Sequence, residues 1–301
     1  MLVNELAQVV FSVPAALADP LGNLLTEEGG GVEQRDAETT PTLTSGLTEL
    51  LIWVPTADVQ RRVGQVERLI TSLKEMGLTV DPWSWRSEEV DPKTWQEAYK
   101  RYFTVNRIGR HFVIKPSWEA HETKPGELLI EMDPGMAFGT GLHASTRLVM
   151  HALERVARLG PSPQSVLDLG CGTGILAIAA ARLWSVCRIQ AIDSDESAVQ
   201  VARENVARNG LDSRIRVEHR SGAKAEGRHG LVLANLSLDV LIELQPRVRK
   251  LLDDYGRLVV SGLLSEQAQT VSRLYCRDLS LEPEYSEALD GWTALLLRAR
   301  D

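Results

Sequence analysis

Apolar residues in this chain come in two rhythms: short β-branched runs, and longer stretches that repeat every three or four positions. Runs of the first kind predict strands, and stretches of the second predict helices. Residues 7–14 (Ala-Gln-Val-Val-Phe-Ser-Val-Pro) read as a strand ended by proline. A helix is expected over 15–25, closed by Gly29-Gly30-Gly31. A second strand over 32–37 precedes the turn-rich Thr39-Thr40-Pro41-Thr42. The run 49–54 is a strong strand. Val59, Val63, Val66, Leu69, Ile70 and Leu73 then fall at helical spacing, with Asp58 placed to cap. A last strand is expected over 80–85. The order βαββαβ predicts a smaller ferredoxin-like α+β domain over residues 1–92.

The rest of the chain has a different grammar. Residues 93–124 read as a linker helix and bridge: an aromatic and basic helix over 95–103, then Asn106 to His111, the strand 112–115 and Pro116-Ser117-Trp118. Aromatics interleaved with arginine can stack on nucleic acid. Here the basic residues are few and acids flank them, so interdomain packing is the preferred reading. From 125 to 301, a strand run at 128–132 and a helical pattern at 146–156 lead in, and strand runs at 164–169, 188–192, 215–218, 231–234 and 257–260 then alternate with helical patterns at 175–183, 196–209, 238–252 and 265–275. Alternation of this kind predicts a doubly wound α/β domain on a seven-stranded, mostly parallel sheet. Two final strand-like stretches, 279–285 and 292–297, suit an antiparallel hairpin at its edge. Asp195 is placed to cap the helix over 196–209, and Gly210 to close it.

Candidate chemistry gathers on the first of these strands. Asp168-Leu169-Gly170-Cys171-Gly172-Thr173-Gly174 follows a buried apolar run and opens the Ala- and Leu-rich helix from Ile175. Glycines at a strand-to-helix turn let a ligand approach the main chain. The spacing is G-x-G-x-G; Ile175 stands where a dinucleotide-binding glycine would fall. Asp193 ends the next strand, about 20 residues on, where a carboxylate takes both ribose hydroxyls of a nucleoside. Asn235 ends the strand 231–234.

Composition narrows the partners. The formal net charge is −8. That disfavours a broad nucleic-acid surface, which needs clustered Lys and Arg, and suits a basic protein partner. Three scattered cysteines, Cys171, Cys187 and Cys276, have neither disulfide nor metal-ligand spacing, so no metal site is expected and a reducing compartment is. No apolar run approaches a membrane span, and the first residues lack a basic n-region, so a cytoplasmic chain without a signal peptide is expected.

Between strand 128–132 and the helix near 146 lies Asp133-Pro134-Gly135-Met136-Ala137-Phe138-Gly139-Thr140-Gly141-Leu142-His143. This stretch is similar to the DPGxAFGTGxH loop of the ribosomal protein L11 methyltransferases (PrmA). So are Lys115-Pro116-Ser117-Trp118, Gly174 to Ala180, and Ser261 to Gln267. The resemblance runs along nearly the whole chain. It implies a Rossmann-like class I methyltransferase domain behind a substrate-recognition domain, S-adenosyl-L-methionine (AdoMet) as cofactor, and methylation of amino groups, on lysines or the N-terminus, of ribosomal protein L11. It also implies cofactor contacts at Thr146, Gly170, Gly172, Asp193 and Asn235, with Phe138 and Thr140 coming from a covering loop. A monomer acting on this basic protein, without membrane or direct nucleic-acid contact, is expected.

The chain departs from the family's pattern in two places. Ala144-Ser145-Thr146 replaces Pro-Thr-Thr, and Leu236-Ser237-Leu238-Asp239-Val240-Leu241 replaces Ile-Leu-Ala-x-Pro-Leu. The second change lies on the acceptor side and leaves open a paralogue acting on another protein or a small molecule, or a non-catalytic docking module. A nicotinamide-dependent oxidoreductase is disfavoured by the missing third glycine. For amine methylation, Asn235 is the candidate that orients the lone pair, and His143 is the alternative base.

Overall fold

The computed structural model describes residues 6–27, 32–36, 43–44, 46–75, 77–90, 104–133 and 143–300. The chain forms two compact units, Met1–Tyr102 and Phe103–Asp301. The division falls inside the stretch 93–124 expected to bridge two domains. Strands from its second half belong to the second unit. Its expected helix over 95–103 lies outside the described residues.

The first unit carries β1 (Leu6–Pro14), α1 (Ala18–Glu27), β2 (Glu33–Arg35), β3 (Leu47–Pro55), α2 (Val59–Glu75) and β4 (Ser84–Val90). Its sheet has the order β2-β3-β1-β4, and every pair is antiparallel. This is the ferredoxin-like arrangement expected from the βαββαβ order. Alternation along β1 sends Val9, Phe11 and Val13 into a core with Leu21 and Leu25 of α1, Leu50 and Ile52 of β3, and Val63, Val66 and Ile70 of α2.

Two local expectations differ. The last strand runs over 84–90 rather than 80–85: Pro82 cannot donate to a ladder, and buried Val80 packs in the core as loop. The strand itself is a polar edge (Ser-Trp-Arg-Ser-Glu-Glu-Val), so hydrophobicity does not announce it. Asp58 ends a 3-10 turn, Thr56–Asp58, that leads into α2, and it accepts from Arg61 Nε at 3.3 Å.

The second unit begins with a small sheet, β5 (Asn106–Ile108), β6 (Phe112–Lys115) and β7 (Leu128–Glu131). It continues with α3 (Ala144–Leu159), β8 (Ser165–Leu169), α4 (Ile175–Leu183), β9 (Arg188–Asp193), α5 (Glu196–Arg208), β10 (Ile215–His219), β11 (His229–Asn235), α6 (Leu238–Leu251), β12 (Leu252–Leu264), α7 (Ala268–Leu279), β13 (Leu281–Leu289) and β14 (Trp292–Ala299). The large sheet has the order β10-β9-β8-β11-β12-β14-β13. The first five strands are parallel, and β14 and β13 form the antiparallel end.

Both faces of this sheet are covered, which is why its strands read as continuous apolar runs. Val166, Ile189, Leu231 and Leu233 face α3, α4 and α5. Leu167, Leu169, Val232 and Ala234 face α6 and α7. The strand order reverses between β8 and β11, where open α/β sheets bind ligands at the carboxyl ends of their strands. Among the described residues no helix is long and apolar enough to cross a membrane.

Candidate active site

The carboxyl ends of β8, β9 and β11 bring the candidate residues together. After β8 the chain turns sharply. The Gly170 and Cys171 N–H groups both donate to Ile192 O, at 2.9 and 3.0 Å, which ties the turn to β9. Gly170, Gly172 and Gly174 all adopt positive φ, at 66°, 53° and 79°. A Cβ at Gly170 would stand 2.4 Å from Leu236 Cδ2, a side-chain end that would have to turn aside.

Two carboxylates hold this turn. Asp193 Oδ2 accepts from Gly172 N at 2.9 Å, and its Oδ1 accepts from Asp195 N at 3.0 Å. An ionised carboxylate keeps further lone pairs, so Asp193 can still accept from the ribose hydroxyls of a bound nucleoside. Asp168 Oδ2 accepts from Ala177 N at 3.1 Å and so caps α4 from the preceding strand, where the N-cap residue Gly174 has no side chain to do so. Asp168 is only 1% exposed, and its Oδ1 has no partner among the described residues. Burial pushes this carboxyl up to about 7, and the nearby charge of Asp193 adds to the shift.

On β11, Asn235 donates from Nδ2 to Thr146 Oγ1 at 3.4 Å. Asn235 Oδ1 is buried and has no partner among the described residues. Thr146 is buried in the first turn of α3, so it fixes the amide from the opposite wall. The following residue is held just as firmly: Leu236 N donates to Ser261 O at 3.1 Å. Gly262 leaves room for the Leu236 backbone, because a Cβ at Gly262 would come within 2.4 Å of Leu236 O.

His143 is the N-cap of α3. Its Nδ1 accepts from Ser145 N at 3.3 Å and lies 2.8 Å from Ser145 Oγ. Its ring meets Trp292 edge to face, with 4.6 Å between centroids. Burial lowers its pKa, so the neutral ring that can accept through Nδ1 is favoured. The helix starts two residues ahead of the expected 146, which places Ser145 and Thr146 in its first turn. Sequence reasoning also passed over Trp292 and Ser261 as parts of the site. Ser261 is fully buried and donates from Oγ to Ser145 O at 3.1 Å, tying α3 to β12. Its signal in the sequence is the Ser261–Gln267 stretch, which marks the family likeness. Phe138 and Thr140 lie outside the described residues.

The pieces fit AdoMet. Two buried acceptor oxygens, on Asp168 and Asn235, lack donors among the described residues and lie at the carboxyl ends of neighbouring strands. A glycine turn between them admits a ligand to the backbone. A cationic ligand would offer Asp168 Oδ1 a donor and the missing charge, and would leave Asn235 Oδ1 open to the N–H of an acceptor.

Comparison with known proteins agrees with this geometry. A family model described as "Ribosomal protein L11 methyltransferase (PrmA)" matches residues 5–300. A ribosomal protein L11 methyltransferase of Symbiobacterium thermophilum is 37% identical over 296 residues, covering 93% of this chain and 95% of its own. One from Geobacter sulfurreducens is 36% identical, covering 88% of both chains. Another, from Photobacterium profundum, is 32% identical, covering 95% of this chain and 96% of its own. Among solved structures, a ribosomal protein L11 methylase from Lactobacillus delbrueckii subsp. bulgaricus superposes with a TM-score of 0.60 at 29% identity, covering 66% of this chain and all of that one. A sheet of this order, a glycine turn with its paired aspartates, and matches across both units lead to one conclusion: the chain belongs to the ribosomal protein L11 methyltransferase (PrmA) family.

Proposed function

We propose that this chain transfers methyl groups from AdoMet to amino groups of ribosomal protein L11, acting as a cytoplasmic monomer. The observation that carries the reading is the buried, unpartnered Oδ1 of Asn235 beside the glycine turn. Asp193 would hold the ribose, Gly170 and Gly172 would admit the methionine part, and Thr146 would fix Asn235. Phe138 and Thr140 belong to the reading through the family likeness alone. Bound AdoMet supplies a methyl group already activated by a sulfonium leaving group.

What remains for the protein is alignment, with the acceptor's proton lost to water as it enters the site. A lysine ammonium has a reference pKa near 10.4 and must lose its proton before attack. Desolvation in an apolar setting lowers that value. Leu236 and Trp292 supply such a setting. The side-chain carbonyl of Asn235 accepts an amine N–H and so turns the lone pair toward the methyl. No acid or base is required of the protein. The His143 cap supports this division of labour: with Nδ1 accepting, the proton of a neutral ring sits on Nε2, which leaves no lone pair for a base.

Intact-mass analysis of ribosomal protein L11, incubated with this chain and AdoMet, tests the reading. Increments of whole methyl groups are expected, and Asn235→Ala should abolish them while AdoMet still binds. AdoMet binding without any increment overturns the substrate assignment and points to the altered stretch 236–241 as fitted to another acceptor.

A further inference from the structure

Asn205 sits in the interior of α5, where an asparagine costs helix stability against alanine. It is 2% exposed, so its amide must find partners inside the protein. Its Nδ2 donates to Thr173 O at 3.0 Å, within the glycine turn. Its Oδ1 accepts from Arg208 Nη1 at 3.3 Å. A guanidinium only donates, so it holds the amide oxygen and turns the amide nitrogen toward Thr173. Arg208 is held in turn by Asp133 Oδ2 at 3.2 Å. Asn209 fastens the same end of the helix to β7: its Nδ2 donates to Asn205 O at 2.8 Å and to Glu131 O at 2.7 Å, and its Oδ1 accepts from Glu131 N at 3.0 Å. The peptide that Asn205 grips joins Thr173 to Gly174. Gly174 N turns back to Cys171 O at 2.8 Å, inside the turn itself, and Gly174 stands at φ 79°. A peptide beside a glycine rotates at little steric cost. Asn205 holds its carbonyl end from outside the turn.

We propose that Asn205 is a positioning residue for AdoMet: its amide locks the Thr173–Gly174 peptide in the orientation that receives the cofactor. The inference rests on the function proposed above, since it takes the glycine turn as the AdoMet site. Asn205 acts through the turn. Where the peptide is released, the binding-competent turn is a fraction of the population, and the apparent Kd rises by the inverse of that fraction. A buried carbonyl left without its donor shifts such a balance about tenfold. Once AdoMet is bound, the ligand itself selects the competent turn, so transfer at saturation keeps its rate.

Calorimetric titration of the intact protein with AdoMet, and initial rates with ribosomal protein L11 as acceptor, test this on two variants. Asn205→Asp keeps the volume and an oxygen for Arg208, but sets a carboxylate oxygen against Thr173 O. Asn205→Leu keeps the volume alone. Both should raise the Kd and the KM for AdoMet about tenfold, with kcat at saturating AdoMet within about twofold of wild type. A residue that merely packs α5 and pairs with Arg208 gives a different result: Asn205→Asp would then bind AdoMet as the wild type does, which overturns the proposal. So does a loss of kcat with KM unchanged. Should neither variant fold, hydrogen exchange of the Asn205 side-chain amide in the wild-type protein carries the test. If the amide and the ligand favour the same turn, each must favour the other, so AdoMet should slow that exchange. Exchange unaltered by saturating AdoMet overturns the proposal. AdoMet binding without methylation of ribosomal protein L11 removes the acceptor assignment and leaves the Kd comparison decisive, whereas a wild-type protein that binds no AdoMet removes both readings.

Discussion

Gly262 is where the sequence leaves the structure least choice, and Gly262→Ala is the most informative substitution. Two costs add there. The residue sits at φ 83°, in the left-handed region that an L-alanine enters at about 1–2 kcal/mol. A Cβ would also stand 2.4 Å from Leu236 O, 2.9 Å from its carbonyl carbon and 3.0 Å from its N. These are backbone atoms, and Ser261 O already holds Leu236 N, so the neighbour cannot swing aside. Overpacking of this kind costs about 1–3 kcal/mol. The total is about 2–5 kcal/mol, a large share of the ~5–15 kcal/mol that separates a native domain from its unfolded chain. Gly210 is the control. Its φ is 66°, yet nothing stands within 4 Å of its added Cβ. Gly210→Ala should therefore cost only the backbone share, about 1–2 kcal/mol. Urea titration of both variants gives midpoints and slopes to compare. Because Leu236 adjoins Asn235, the Gly262 variant should also bind AdoMet more weakly, and the Gly210 variant should not. Equal destabilisation of the two would refute the argument, since it would mean that the backbone of Leu236 yields freely.

Substitutions at three further residues test other parts of the unit. Glu154 is buried, and its carboxylate accepts from Arg110 N at 2.9 and 3.1 Å and from His111 N at 2.8 Å; Glu154→Ala should cost about 2–4 kcal/mol by urea denaturation, and Glu154→Gln less than half of that, because one acceptor oxygen survives. The pKa of His143 is lowered by burial, so the folded state holds its proton less tightly than the unfolded one, and stability falls as pH drops below about 6.5. His143→Asn keeps a good N-cap without the titration, and its melting temperature should fall less than the wild type's between pH 7.5 and 5.5; equal falls would refute the cap. Asp168 works in the opposite sense. Its carboxyl is raised from 3.8 to about 7, so the stability it provides is complete below 3.8 and is lost as pH rises to about 7, a swing of roughly 4 kcal/mol. Without ligand, Asp168→Asn should melt above the wild type at pH 8, and the gap should close toward pH 4.

Much of this was legible because both kinds of burial leave a mark on sequence. Strands covered on two faces, such as Ser165–Leu169 and His229–Asn235, are nearly all apolar, and their spacing with the helices led to the parallel sheet. The Asp195 cap was readable too, and its Oδ1 accepts from Ser197 N at 2.8 Å. Edges were harder. Ser84–Val90 is polar and exposed, held by its ladder to β1 rather than by burial, so no apolar period marks it. The His143 cap carries no such mark. A cap is a matter of φ, ψ and reach, and residue type alone places it only loosely. The unpartnered oxygens of Asp168 and Asn235 had no signal in sequence, because a missing partner is a property of the packed neighbours.

The same packing divides the site into a part that tolerates no change and a part that does. Leu236 is enclosed on three sides. Gly170 lies against its side chain, Gly262 against its backbone, and Ser261 O receives its N–H. Every one of these contacts requires the main chain to leave β11 along one path, and that path sets Asn235 relative to the glycine turn. Two residues later the constraint ends. In α6, Leu241 and Leu244 are buried, but Val240 and Ile242 are 37% and 48% exposed and flank no core. Substitutions at exposed helix positions cost little stability. The chain's departure from its family's pattern over 236–241 therefore begins with a conservative apolar exchange at the enclosed residue and becomes radical where the helix surface is open. In the proposed function Asn235 is the acceptor carbonyl, and it lies on the enclosed side. Substitutions at Val240 and Ile242 can accumulate without moving it.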